Sequence, residues 1–278
     1  MLIRPGNDFL LSNLRQLTNP PHVSYIHLDW VPTKERLQDE FTFALEEDGR
    51  LGAIINLSPE TKNFAWLRFF FSTQDGKHQD HFEKLLSFGK KRLNNNKEYM
   101  LYSLSHHNWF ENMLSKNGFT KTSQIVTLTT SIPILPPREY DPKLIKTITV
   151  EDIPLIFDLD AQCFSDPWQL NELSLHYCIG GADLATYIKC EGQVLAYQVS
   201  HVLFDHIHIA RLAVHPQHRR KGYATILLTD LIERFKTIGN YVFSINTQED
   251  NHASIALYKK FGFRSNQESF PVYKLETS

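Results

Sequence analysis

Along this chain, stretches whose apolar residues recur at every second position give way to stretches where they recur every third or fourth. The first spacing marks a half-buried strand and the second marks one face of a helix. In the second half, strands are predicted over residues 184–190, 193–204 and 206–214, all rich in β-branched and aromatic residues. In HIHIARLAV, the alternation puts His206 and His208 on one face. A helix is predicted from Gly222 to Lys236, apolar at Ile226, Leu227, Leu231, Ile232 and Phe235. A strand over 241–246, a helix over 252–260 and a closing strand pair follow. Ahead of these, a strand near 144–149 leads into a helix opening at Thr149–Asp152, with Pro154 tolerable in its first turn, and a second helix follows Pro167. The pattern is mixed α/β.

The first half carries the same pattern. FALEEDGRLGAIINL reads as strand, tight turn at Asp48-Gly49, strand, and TYIKCEGQVLAYQV reads alike around Glu191-Gly192. Gly49 and Gly192 stand 143 residues apart, as do Ala53 and Ala196, and Arg68 and Arg211; Gly118 and Gly262 stand 144 apart. A near-constant offset points to a unit written twice. Between the copies, SIPILPPREYDPKL holds Pro133, Pro136, Pro137 and Pro142, a density that suits neither helix nor central strand. The expected division is residues 1–130, a linker over 131–144, and residues 145–278.

Composition narrows the possibilities. With 278 residues the chain has room for two domains, and its 42% hydrophobic content suffices for packed cores. A formal charge of -2 and the lack of a basic stripe argue against nucleic acid and anionic membrane as partners. Cys163, Cys178 and Cys190 form no disulfide or metal pattern, and the odd count suits a reducing compartment. The opening MLIRPGNDFLLSNLRQL lacks a sustained apolar core and a small-residue cleavage site, and no apolar run approaches a membrane span. These features suggest a cytoplasmic protein.

The stretch LAVHPQHRRKGYATILL is chemically the most suggestive. A strand ends at His215-Pro216, three cations follow at Arg219, Arg220 and Lys221, and Gly222 opens a helix with the small Ala224 close behind. The first N–H groups of a helix are unpaired and its dipole is positive there, so such a loop can cradle an anion such as a diphosphate. It is neither a GxxxxGK[ST] nor a GxGxxG loop. A solvated basic turn that merely caps the helix is the other reading.

The neighbouring residues add to this. Arg219-Arg220-Lys221-Gly222-Tyr223-Ala224 resembles the Q/R-x-x-G-x-G/A signature of the GNAT superfamily of acyl-CoA-dependent N-acetyltransferases, and Asn251, Ser254, Leu257, Tyr258, Gly262 and Phe263 resemble its N-x-x-A-x-x-L-Y-x-x-x-G-F element, with Ser254 in place of the usual alanine. CFSDPW at 163–168 is similar to the end of the first helix in ribosomal-protein alanine acetyltransferases. The resemblance covers about residues 146–276. It implies two tandem GNAT-like domains, each a mostly antiparallel sheet with a parted strand pair flanked by helices. It implies acetyl-CoA as cofactor, held by Arg219, Arg220, Lys221, Gly222, Tyr223, Ala224 and Thr225 at the pyrophosphate, by Leu212, Ala213 and Val214 along the pantetheine arm, and by Asn251, Ser254 and Tyr258 further on. The first copy departs from the signature: around Gly76 it reads TQDGKHQDHF, with Asp75 where an anion would sit. That copy is expected to hold no cofactor, and to be structural or to shape the acceptor site.

The resemblance also implies that Tyr258 protonates the leaving thiolate. For the base, His208 and then His206 are the candidates, since histidine titrates near neutral pH. Where the alanine acetyltransferases have a glutamate this chain has Asn246, which cannot serve; Glu249 and Asp250 lie nearby. No Cys or carboxylate completes a metal site around the two histidines. The expected function is transfer of an acetyl group to a primary amine, either a protein N-terminus or a small-molecule amine. A non-catalytic acyl-CoA-binding or interaction module is the alternative. Oligomeric state is not legible.

Overall fold

The computed structural model describes residues 2–6, 23–27, 30–74, 76–93, 99–105, 107–137, 140–239 and 241–277. Asp75, part of the proline-rich connector (residues 138 and 139) and most of the opening segment lie outside these. The chain divides into two compact units. One is residues 1–122 together with 271–278, and the other is residues 123–270.

In the first unit the strands are β1 (Leu2–Pro5), β2 (Val23–Ile26), β3 (Thr42–Glu47), β4 (Arg50–Pro59), β5 (Phe64–Ser72) and β6 (Tyr99–Leu104), with helices α1 (Thr33–Arg36), α2 (His78–Leu93) and α3 (Asn108–Lys116). The sheet runs β1-β3-β4-β5-β6, and its next strand is the stretch Val272–Thr277, antiparallel to β6. All pairs are antiparallel except β5 with β6. Aromatic residues dominate the core: Phe43, Phe70, Phe82 and Phe110 are buried together with Leu85 and Leu101.

The second unit contains β7 (Thr120–Thr130), whose residues from Ser123 onward belong here. It also contains β8 (Ile145–Thr147), β9 (Leu184–Cys190), β10 (Gln193–Leu203), β11 (His206–Val214) and β12 (Val242–Gln248), with helices α4 (Ile153–Cys163), α5 (Glu172–Gly180), α6 (Tyr223–Lys236) and α7 (His252–Lys260). The order is β7-β12-β11-β10-β9-β8, again with one parallel pair, β11 with β12. Leu228, Leu231, Ile232 and Phe235 of α6 and Tyr258 of α7 are buried together with Ile207, Ile209, Phe243 and Ile245 of the sheet. The mixed sheet with a parting strand pair in each unit is the architecture expected.

The two units match in detail. Asp48 and Gly49 both take positive φ, as do Glu191 and Gly192, which is the turn that two-residue hairpins require. A bulge breaks the β4–β5 register between Asn56 and Leu57, and another breaks β10–β11 between Val199 and Ser200, 143 residues later. The parallel pairings begin at Phe64 opposite Met100 and at His206 opposite Val242. One correspondence needs correction. Asn56 lies opposite Phe69, whereas Val199 lies opposite Arg211, so Arg68 matches the bulged Ala210 and not Arg211. The buried Arg68 serves a different network, sharing Glu60 with Arg36.

The expected division at residue 130 is also displaced. The strand beside β6 is Val272–Thr277, and the strand beside β12 is Ile125–Thr130, so each unit takes its closing strand from the other half of the sequence. In place of a closing strand pair there is one long strand, β13 (Arg264–Thr277), whose last residues belong to the first unit. A fragment of residues 145–278 would leave the β12 edge bare. It should lack a cooperative thermal transition, whereas a fragment of residues 123–270 should show one in calorimetry.

Candidate functional site

β11 has two unlike edges. His206–Ile209 pairs with Val242–Ile245 of β12, but from Ala210 onward only β10 pairs with it among the described residues. Ala210 is the bulged residue, since Val199 faces Arg211 and Ser200 faces Ile209. The N–H and C=O of each residue in an antiparallel ladder share one edge, and edges alternate along the strand. His215 donates its N–H to the Leu195 carbonyl at 2.8 Å, so Ala213 also faces β10 while Leu212 and Val214 turn their backbone groups into the gap. Cys163 Sγ, at the end of α4, lies 3.3 Å from the Val214 carbonyl.

Beyond His215 a short turn, Pro216–His218, leads to the exposed Arg219, Arg220 and Lys221. Arg220 has φ 63° and Gly222, the N-cap of α6, has φ 87°. Gly222 supplies no side chain to cap the helix, and the first intrahelical bond runs from Ile226 N–H to the Gly222 carbonyl at 2.9 Å. The N–H groups of Tyr223, Ala224 and Thr225 have no acceptor among the described residues. A Cβ at Gly222 would meet nothing within 4 Å, so the glycine is required by its left-handed φ and not by crowding. Uncapped amides at the positive end of a fourteen-residue helix, with three cations ahead of them, suit a diphosphate. The outward backbone groups of Leu212 and Val214 suit the amides of an extended arm. The residues therefore fit the cofactor that the sequence implied.

Of the other expected contacts, Asn251 and Ser254 are accounted for locally: Asn251 Oδ1 accepts the Ser254 N–H at 3.2 Å and caps α7. Tyr258 is buried in the cluster that also holds Ile209 and Leu212, with the Phe263 ring 5.7 Å away. Its hydroxyl makes no hydrogen bond among the described residues, and burial pushes its pKa up, so the phenol stays protonated.

His208 lies in the paired part of β11, where the two strands have not yet parted. Its Nδ1 is 3.1 Å from Ser244 Oγ on β12, and His201 of β10 is its partner on the other side. Burial first, and the neighbouring His201 second, push the imidazole down to about 4, away from the neutral range that the sequence suggested. His206 is half exposed and pairs with Asp205 at 2.6 Å, a surface arrangement. Asn246 Oδ1 accepts the Thr127 hydroxyl at 2.9 Å, a contact between β12 and β7. No group of three or more metal-ligating side chains occurs among the described residues.

Sequence reasoning passed over the role of Arg211. Its Nε lies 2.7 Å from Asp160 Oδ1 and 3.1 Å from the Tyr197 hydroxyl, Nη1 and Nη2 each donate to the Trp168 carbonyl at 3.2 Å, and the guanidinium stands 3.7 Å over the Phe164 ring. One buried cation thus ties α4, β10 and the 164–168 turn to the strand that lines the gap. The legible signal was Asp160 at helical spacing from Ile153 and Ile156, on the face that those residues make apolar, since a buried carboxylate needs a cation.

Residues 153–263 match the model of the acetyltransferase (GNAT) family. Over 119 residues, 43% of this chain and 79% of the relative, the sequence is 25% identical to the [ribosomal protein bS18]-alanine N-acetyltransferase of Salmonella typhimurium strain LT2. Among solved structures, a probable N-acyltransferase from Enterococcus faecalis V583 superposes with a TM-score of 0.68 at 10% identity, covering 99% of this chain and 72% of that one. A tandem GNAT protein from the clavulanic acid biosynthesis pathway superposes with 0.55 at 13% identity, covering 85% and 82%. The second half of the chain thus carries an acetyltransferase domain of the GNAT family, and the protein is an acetyl-CoA-dependent N-acetyltransferase.

Proposed function

We propose that the second unit is the catalytic one, that the first carries no chemistry, and that the acceptor is the α-amine of a protein N-terminus. The observation that carries this reading is the gap beyond Ile209, which opens toward the uncapped first turn of α6 within one unit. Bound acetyl-CoA supplies an activated acetyl group. The amides of Tyr223, Ala224 and Thr225 and the side chains of Arg219, Arg220 and Lys221 hold its diphosphate, and the Leu212–Val214 edge aligns its arm. Tyr258 keeps a proton at its hydroxyl. His208 is a neutral imidazole above pH of about 4 and accepts the proton that the amine gives up.

The weakness of that base favours an α-amine. An N-terminal amine has a pKa near 8 and is roughly a tenth neutral at pH 7, whereas a lysine near 10.4 is almost wholly charged. An acceptor that is already partly neutral asks little of a base near 4. Relatives named for acetylating an alanine of ribosomal protein bS18 point the same way. No helix among the described residues is long and apolar enough to cross a membrane, which accords with a cytoplasmic acceptor.

Thiol release measured with acetyl-CoA and a panel of amines tests the acceptor. At pH 7, a peptide with a free N-terminal alanine should be turned over roughly 10²-fold faster than the side chain of a lysine, following the difference in neutral fraction. Equal rates would remove the α-amine preference. Tyr258→Phe should lower turnover by about 10²–10⁴-fold while leaving coenzyme A affinity near normal.

Gly222→Ala should cost about 1–2 kcal/mol of stability through its φ of 87° and leave cofactor affinity within a few-fold. Gly222→Glu should show the same loss in thermal unfolding and, by calorimetric titration, bind coenzyme A at least about tenfold more weakly, a difference of 1.4 kcal/mol. Equal affinity would show that the loop only caps the helix.

Histidine 208 gives a pH test with a definite sign. Its folded pKa of about 4 lies below the ordinary value of about 6.5, so the unfolded chain binds the proton more readily. Its contribution to stability is complete above about 6.5 and falls away as pH drops toward 4. The thermal midpoint of the parent should decline across that window more steeply than that of His208→Gln. In kcat/KM, a limb set by His208 should lie near 4, and a limb in the neutral range should move with the pKa of the amine supplied.

A further inference from the structure

The gap between β11 and β12 has a counterpart in the first unit, and there it is filled. β5 pairs with β6 at Phe64–Trp66 and then leaves it, as β11 leaves β12. Thr73 donates its N–H to the Gly52 carbonyl at 2.9 Å, so Phe71 also faces β4, and Phe70 and Ser72 turn their backbone groups the other way. By the bulge register, Phe70 and Ser72 are the counterparts of Leu212 and Val214. Opposite Phe70 stands Tyr25, opposite Ser72 stands Val23, and the His27 N–H reaches the Arg68 carbonyl at 2.7 Å. β2 is a strand laid along the very edge that is open in the second unit.

β2 is also held from its other side. The Tyr25 hydroxyl accepts a hydrogen bond from Ser103 Oγ of β6 at 3.3 Å, beyond the point where β5 and β6 have parted. The Tyr25 ring stacks on Phe110 of α3 with centroids 3.8 Å apart, and the residue is 2% exposed. In the second half the stretch 142–143 positions later, residues 165–170, forms a turn and joins no strand.

We propose that residues 23–27 are the resident ligand of the first unit's strand gap. They make with Phe70 and Ser72 the backbone hydrogen bonds that an extended, amide-bearing arm would make with Leu212 and Val214. This interpretation of the second gap rests on the function proposed above; the occupancy of the first does not. An intramolecular strand has no translational entropy left to lose, and its attachment holds it at the slot at a high effective concentration. The slot is thus closed to coenzyme A by the chain itself, independently of the sequence of the neighbouring loop.

Amide-resolved hydrogen exchange on the full-length chain, with and without coenzyme A, tests this. Without coenzyme A, the Phe70 and Ser72 amides should exchange at least about 100-fold more slowly than those of Leu212 and Val214. Phe71 and Ala213, which face β4 and β10, should be slow throughout and serve as internal references. Added coenzyme A should slow Leu212 or Val214 by about tenfold or more and leave Phe70 and Ser72 unchanged. Fast exchange at Phe70 and Ser72 in the free protein, or slowing of either by coenzyme A, would overturn the proposal. If Phe70 and Ser72 are protected while coenzyme A alters neither strand, the filled slot stands and the assignment of the cofactor to the second unit falls.

Discussion

A strand inside a sheet must satisfy two rows of backbone groups, and beyond Ile209 β11 satisfies only one of them from within the described sheet. The site is arranged around that shortfall. The bulge at Ala210 sets which residues turn their amides outward and keeps His208 and Arg211 on the same face of the strand. Buried Arg211 fixes the strand against α4 and the 164–168 turn just where β12 no longer supports it. The left-handed Gly222 then starts α6 with its first amides unspent. Remove the parting and the other features lose their common purpose.

The two units show one backbone problem answered in two ways. Both carry the bulge, the short parallel pairing and the positive-φ hairpin turn. In one, the unpaired edge stays open beside a cationic loop. In the other, the chain supplies its own strand, and a tyrosine that would be unremarkable in any core becomes a wedge between β5 and β6. In the first unit the polar edge takes its hydrogen bonds from residues 23–27 of the same chain, so no hole is left beside it.

Much of this was legible in the residues. The alternation in HIHIARLAV, the turn at Glu191-Gly192 and the apolar face from Ile226 to Phe235 mark β11, the hairpin and α6 because each is a local periodicity. The loop from Arg219 to Ala224 declared itself because a glycine opening a helix directly behind three cations suits an anion and matches a family signature. Other features were not legible because they depend on partners distant in sequence. A fixed offset of 143 slid Arg68 onto Arg211, since a bulge changes which residue faces which without leaving a mark in composition. The depressed pKa of His208 comes from burial and from His201 across the sheet, and neither is a property of HIHIA. Asn251 and Ser254 carry a family spacing, yet the spacing is also that of a helix N-cap, and the cap is what the structure shows.

The placement of Val272–Thr277 beside β6 bears on the order in which the protein can come into being. A ribosome delivers residues in sequence, and domains made early commonly fold early. Here the earlier-made unit lacks its closing strand until residues 272–277 emerge, and β6 waits meanwhile as a bare edge. The second unit draws β7 from chain already synthesised and has all its strands once residue 270 is out. The later half can therefore finish first, and the long wait falls on the half whose core is rich in phenylalanine, where a nascent chain most needs a chaperone.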